Sequence, residues 1–228
     1  MGETLAERIE NEIIASGWKV GDVIGSESDL RARYGVSRAV FREAIRIVGH
    51  HGVAEMRRGP GGGLVVMEPR IDTGARTVSL NLDYLQITPR QINEARSAIE
   101  IACVHMVAQN LTAAGADRIR AFLAEEVDMI VSQGSLGEPR DDFPSNHFHV
   151  LLAELTGNPA MMLFVQILSQ VTSRHSVLVG SAEELHTNAE QVHKVHSKIA
   201  EAILKKDVEG AKRRMRRHLV ALVDYLHD

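Results

Sequence analysis

The chain has 228 residues, carries 26 Lys and Arg against 30 Asp and Glu, and is 44% hydrophobic. That length suits two domains, one small and one larger, and a formal net charge of −4 excludes a chain that binds polyanions over its whole surface. A single cysteine excludes an internal disulfide, and no apolar run approaches the ~20 residues of a membrane span or reads as a signal peptide, so a reducing cytoplasm is the expected location.

Thr4 and Glu7 have capping-box spacing ahead of Leu5, Ile9 and Ile13, which recur at helical period and predict a first helix. Ser26 and Asp29 form a second box, with Asp in place of the usual Glu or Gln, before a helix carrying Leu30 and Tyr34. Gly35-Val36-Ser37 is then the turn of a helix-turn-helix. In the third helix Val40, Ala44, Ile47 and Val48 gather on one side, with Phe41 and Ile45 at its edge. Arg38, Arg42 and Arg46 step down the other side, where they would meet guanine edges and phosphates in a major groove.

Val53–Met56 and Leu64–Met67 read as two short strands around the loop Arg57-Arg58-Gly59-Pro60-Gly61-Gly62-Gly63. No Gly-Lys-Ser/Thr follows, so this is not a nucleotide-binding loop. Three helices and a hairpin make a winged helix over residues 1–69, with Arg57 and Arg58 at the base of the wing. Trp18 is expected to be a packing residue under that wing. Alone, the arginine face would be an ordinary solvated one. The order of turn, cap and wing makes it a reading helix. Residues 31–58 hold seven arginines against Glu43 and Glu55, an excess of five on a chain that is acidic overall.

Beyond Pro69 the strand signals stop. Segments 73–86, 89–111, 115–133, 141–156, 159–179, 183–206 and 208–227 each read as helix, which predicts a mainly α chain with a C-terminal all-α bundle of six or seven helices over 73–228. His149, His196 and His218 lie on apolar stripes of three different helices. That pattern suits either an interior metal site or three separate core histidines. Arg96 shares a stripe with Ile92, Ile99, Cys103 and Val107 and needs a partner. Glu100, one turn on, can supply it, or Arg96 can border a cavity and meet an anionic ligand. Arg174, in a largely apolar helix, is a second anchor for a carboxylate. Cys103 is read as buried filler, since no second cysteine can resolve it.

Gly21-Asp22, Gly25-Ser26-Glu27, Leu30, the run from Gly35 to Ile45 and the glycine-rich wing resemble the GntR family of bacterial transcription regulators. The resemblance implies base or phosphate contacts from Ser37, Arg38 and Arg42, with Arg57, Arg58 and Gly59 at the adjacent groove. Gly25 stands where that family usually has Pro, and Ser28 where some members carry a DNA-contacting Arg. Phe148-His149, Gly157-Asn158, His196 with Ile199, Ala202 and Asp207, then Ala211 and His218-Leu219, resemble the FCD ligand-binding domain of the FadR branch of that family.

That second resemblance implies a divalent metal, zinc or nickel, held by His149, His196 and His218. The family's aspartate position is Ser145 here, with Asn146 or Asp142 as candidate substitutes. Arg96, Glu100, Arg174 and Asn158 are the candidate effector-binding residues. The expected function is a homodimeric, ligand-responsive DNA-binding regulator, a repressor by family habit, controlled by a small organic or sugar acid. The alternatives are a metal-sensing regulator and, from another class, a three-histidine metal-dependent hydrolase. The hydrolase reading lacks a placed general base, Glu100 and Asp142 being the only carboxylates to hand, and the chain is expected not to be an enzyme.

Overall fold

The computed structural model describes residues 1–59, 61–69, 71–133, 145–175 and 182–224. The chain divides into two compact units, Met1–Gly74 and Ala75–Asp228.

The first unit holds α1 (Gly2–Ala15), β1 (Val23–Gly25), α2 (Glu27–Tyr34), α3 (Arg38–His50), β2 (Ala54–Arg57) and β3 (Gly63–Val66). α1 starts earlier than the Thr4–Glu7 box implies. Its N-cap is Met1, whose carbonyl accepts from Leu5, and no side chain caps it. Thr4 is therefore inside the helix. Ser26 does cap α2, but only half of the expected box forms, because Asp29 takes the Ser26 hydroxyl instead of reaching the cap backbone.

Gly35 ends α2 in the left-handed region at φ 66°, which releases the chain into Ser37 and α3. Leu5, Ile9 and Ile13 bury against α3. Phe41 is buried with Ala44 and Val48 at the centre of the α3 inner face, while Val40, Ile45 and Ile47 are only partly covered. The stripe is thus centred nearer Phe41 than its spacing alone suggests, because the ring fills the gap beside Leu30 and Leu64.

The wing is more than a hairpin. β2 and β3 pair antiparallel, with Met56 opposite Leu64, and β1 adds to the outer edge of β3, with Val23 opposite Val65. The sheet order is β1-β3-β2. Three residues between glycines and an aspartate carry too little alternation to announce β1 as a strand. Gly59 and Gly61 lie at φ 102° and 76°, and a Cβ on Gly62 would sit 2.8 Å from the Gly59 carbonyl oxygen. The tip of the wing thus requires glycine.

The second unit is helical among its described residues. α4 (Ile71–Tyr84) leads into α5 (Pro89–Asn110), α6 (Ala113–Gln133), α7 (Ser145–Leu155), α8 (Pro159–His175), α9 (Ala182–Leu204) and α10 (Val208–Asp224). Thr88 opens α5 with a complete capping box to Gln91 and proline at the first helical position. The core gathers Val104 from α5, Ile119 from α6, Phe148 and Leu152 from α7, Ile199 and Ile203 from α9, and Met215 and Leu219 from α10. Fully burying a side chain of this size stabilises the fold by roughly 1.5–3 kcal/mol. No helix among the described residues is long and apolar enough to cross a membrane.

Candidate functional site

In the first unit Ser37 caps α3, its hydroxyl accepting from the Val40 amide. From that start Arg38, Arg42 and Arg46 project to the exposed side of α3. Together with Met56, Arg57 and Arg58 they line one open groove, which Glu27 also borders. The arginines read from the helix and those read from the wing base therefore meet on one face. Arg38 contacts Glu27 at 3.2 Å and Arg57 contacts Glu55 at 2.8 Å, both largely exposed. Exposed pairs of this kind are worth ~0–1 kcal/mol, so they orient the guanidiniums without tying them up. Such a face, rigid at its back and cationic at its front, suits duplex DNA.

In the second unit α7, α9 and α10 bring His149, His196 and His218 together. One nitrogen from each lies within 4.8 Å of the others, and all three rings are buried. His149 and His218 stack with an interplanar angle of 11°, and His196 stands edge-on to both. Phe148 stacks on His196 at 4.3 Å between centroids, closing that side against water.

Each of two histidines is fixed from behind by a buried carboxylate. Glu100 engages His149 Nδ1, and Glu126 engages His196 Nδ1 at 2.7 Å. Both Nε2 atoms are thereby left facing inward, and that of His196 is buried without a hydrogen-bond partner among the described residues. A metal-ligating imidazole needs this arrangement, with one nitrogen held by a carboxylate and the other bearing a free lone pair. Burial pushes His149 down to about 4, against the pull of Glu100, and pushes His218 down to about 2. Both are therefore neutral at pH 7, the form that ligates a cation. The three side chains fit a divalent metal with nitrogen preference, and they leave further positions open.

Arg96 and Glu100 form a buried pair on α5, each 2% exposed. Burial would raise the Glu100 carboxyl. The Arg96 guanidinium and His149 more than offset that and hold it at about 2. Arg96 also donates to the Asn146 amide oxygen at 3.2 Å, and Asn146 donates onward to Ser173 at 2.7 Å. The amide oxygen that could have replaced the missing aspartate is thus occupied by Arg96. Asn158 does not join this centre. It is exposed and accepts from the Ala160 amide, a capping role at the start of α8. Asp142 lies outside the described residues, as do the side chains of Ser145 and Arg174. Cys103 is buried, and burial with the nearby Glu100 pushes its thiol up to about 12, which suits filler and not a redox sensor.

Two further residues of this centre, Glu126 and His193, are not singled out by sequence pattern. Glu126 accepts from both His193 and His196, and each contact is 2.7 Å. Burial would raise its carboxyl, and the two imidazoles bring it below the usual range instead. A signal for it does exist in the chain. Glu126 shares a stripe of α6 with Ile119, Phe122, Leu123 and Ile130, the same anomaly that marks Arg96.

A winged head with a convergent arginine groove, joined in one chain to a helical unit with a closed polar centre, defines a regulator that reads DNA. Comparison with known proteins places it. Residues 1–64 match the family of bacterial regulatory proteins, gntR family, and residues 91–221 match the FCD domain. The chain belongs to the GntR family of transcription regulators and carries an FCD domain; it is not an enzyme. It is 28% identical to the HTH-type transcriptional regulator LutR of Bacillus subtilis strain 168, over 91% of this chain and 93% of that one. It is 27% identical to the Exu regulon transcriptional regulator of Escherichia coli K12, over 94% of this chain and 78% of that one. The fold is similar to that of Streptococcus agalactiae GntR, with a TM-score of 0.70 and 22% identity over 97% of this chain and 98% of that one. Operator DNA and a small-molecule effector taken up by the FCD domain are the partners of this class.

Proposed function

We propose that the protein is a homodimeric repressor whose operator affinity is set by a small carboxylate, an organic or sugar acid, bound beside a divalent metal in the second unit. The observation that carries this reading is the closed centre of three buried imidazoles from three helices, with the Arg96 guanidinium one residue contact away through Glu100. His149, His196 and His218 would hold zinc or nickel. When bound, the metal would supply a Lewis-acidic centre for an oxygen ligand. The chain's own part is to orient the imidazoles through Glu100 and Glu126, to exclude water with Phe148, and to add cationic charge through Arg96.

Homodimerisation follows from the head. One winged helix reads a short half-site, and two related by a two-fold axis read a pseudo-palindrome. The effector would shift operator affinity through a coupling of typically ~1–3 kcal/mol. A thermal-shift screen of carboxylates on metal-loaded protein, followed by operator titration with each stabilising compound, tests the reading. Stabilisation by acids with a change in operator affinity is expected. Stabilisation only by neutral or acyl-chain compounds would remove the carboxylate assignment. The convergence of the histidines also favours a second reading, in which the ion itself is the signal. Metal alone would then change operator affinity with no acid present.

A further inference from the structure

α10 carries a second cationic surface that the reading head does not explain. Residues 205–217 hold seven cations (Lys205, Lys206, Lys212, Arg213, Arg214, Arg216 and Arg217) against Asp207 and Glu209, an excess of five. The excess equals that of the head segment, on a chain of net charge −4. Three of these cations have local partners. Lys205 and Lys212 pair with Glu201 and Glu209, and Arg214 contacts Glu201 and the Lys198 carbonyl. Lys206 lies in the turn between α9 and α10.

Arg213, Arg216 and Arg217 differ. All three are exposed, and none makes an ion pair or hydrogen bond among the described residues. At spacings of three and four they share one face of α10, opposite buried Ala211, Met215, His218 and Leu219. Little in the helix itself favours this stripe. Glu209, one turn before Arg213, is paired with Lys212 and feels Arg213 only as a weaker, longer-range attraction. Like charges at such spacing repel. Arg213, Arg216 and Arg217 also lie before the last turn of a helix that ends at Asp224, out of reach of its negative end.

We propose that this stripe is a second DNA-contacting surface, which binds the phosphate backbone without reading sequence. Three fork-shaped guanidiniums lie within ~6 Å along the helix axis, at ~1.5 Å per residue. Duplex DNA offers a negative charge every ~1.7 Å of its axis. Guanidinium matches phosphate geometry in bidentate contact. The inference rests on the DNA-binding role of the family, not on the carboxylate or metal reading. It also gives α10 two opposite tasks, because His218 faces the buried centre one residue from Arg217. A shift of α10 at that centre moves the phosphate contacts directly.

The test uses the full chain, a ~40-base-pair duplex of random sequence, and binding measured over a salt series. Each phosphate contact contributes about 0.9 to the slope of log affinity against log salt. The triple variant Arg213→Gln, Arg216→Gln, Arg217→Gln should flatten that slope by about 2–3, and the three Arg→Lys replacements should restore most of it. Between ~50 and ~200 mM salt, three contacts correspond to a relative change of about 40-fold in affinity. The single Arg217→Gln, at an exposed position of α10, should flatten the slope by about 1. A slope equal to wild type in the triple variant overturns the proposal. So does an unchanged slope with an altered sedimentation coefficient, which would make the stripe a protein–protein contact instead.

Discussion

The Nε2 atoms of His149 and His218 stand 3.2 Å apart in two buried, nearly parallel rings. Two neutral imidazoles at that separation share one proton at most, and the inward nitrogen of His196 beside them has no hydrogen-bond partner among the described residues. A buried polar atom without a partner costs ~1–3 kcal/mol. A cation satisfies all three nitrogens at once. Protein stripped with chelator should therefore melt lower and recover on addition of Zn²⁺ or Ni²⁺, with uptake seen by elemental analysis. His196→Ala should abolish uptake. Stripped protein that gains neither metal nor stability would leave the site metal-free.

Glu126 should matter to that uptake although it is not itself among the converging ligands. It fixes His196 through Nδ1 and links it to half-buried His193. Glu126→Gln keeps the volume and removes the charge. Metal affinity should fall by about 10–100-fold, as for other carboxylates behind a ligating histidine. Competition with a chromophoric chelator measures it. An affinity equal to wild type would mean that packing, including Phe148, orients His196 unaided.

Acid should destabilise the metal-free protein in a definite window. The folded pKa of His149 is lowered to about 4, from 6.5. The unfolded chain thus binds more protons below about pH 6.5, and stability is lost as pH falls from there through about 4. His218 adds to the same loss, extending it toward about 2. Glu100, held at about 2 from 4.5, contributes stability above 4.5 that is lost only below it. Melting temperature should drop between about pH 7 and pH 5, and less steeply in His218→Leu, which has one fewer imidazole to charge. A flat profile in wild type would contradict the neutral state of His149 and His218.

In the reading head, Arg38→Ala and Arg42→Ala should each weaken specific operator binding by roughly 1–3 kcal/mol. Helicity should not change, because both side chains are exposed and the buried face of α3 is untouched. Footprinting of the double variant checks this, and full protection would show that another element reads the bases.

Arg96→Lys separates charge from geometry. Lysine keeps the positive charge near Glu100 but lacks the planar fork whose separate nitrogens reach Glu100 and Asn146. Stability should fall by less than the ~3–5 kcal/mol expected when a buried partner is removed altogether. If Arg96 anchors the effector, the thermal response to carboxylates should shrink further than stability does. Equal losses would make Arg96 a structural partner of Glu100 alone.

Much of the fold and of both sites is legible in the sequence, for identifiable reasons. The α3 arginines and the wing arginines declare themselves by helical period and turn chemistry, and they converge on one groove. The three histidines sit on apolar stripes, where a polar ring has to find a partner, and they converge too. Glu126 is hidden by the apolar period of α6, to which it is the exception. β1 is hidden because three residues of edge strand owe their conformation to pairing with β3, a contact no local pattern encodes. Asn158 passes for a ligand residue because a capping asparagine and a binding asparagine look alike in one dimension.

Trp18 is the sole tryptophan of the chain, and its indole N–H donates to the Met67 carbonyl at 2.9 Å, just past the end of β3. Its backbone takes a left-handed φ of 48°, which presents the ring to that carbonyl. The molecule thereby contains its own optical probe. Excitation above the tyrosine band reports a single chromophore, placed where the polypeptide leaves the DNA-reading unit. Emission wavelength and quenching should follow any rearrangement of that exit without a dye, a tag or a second tryptophan to confuse the signal.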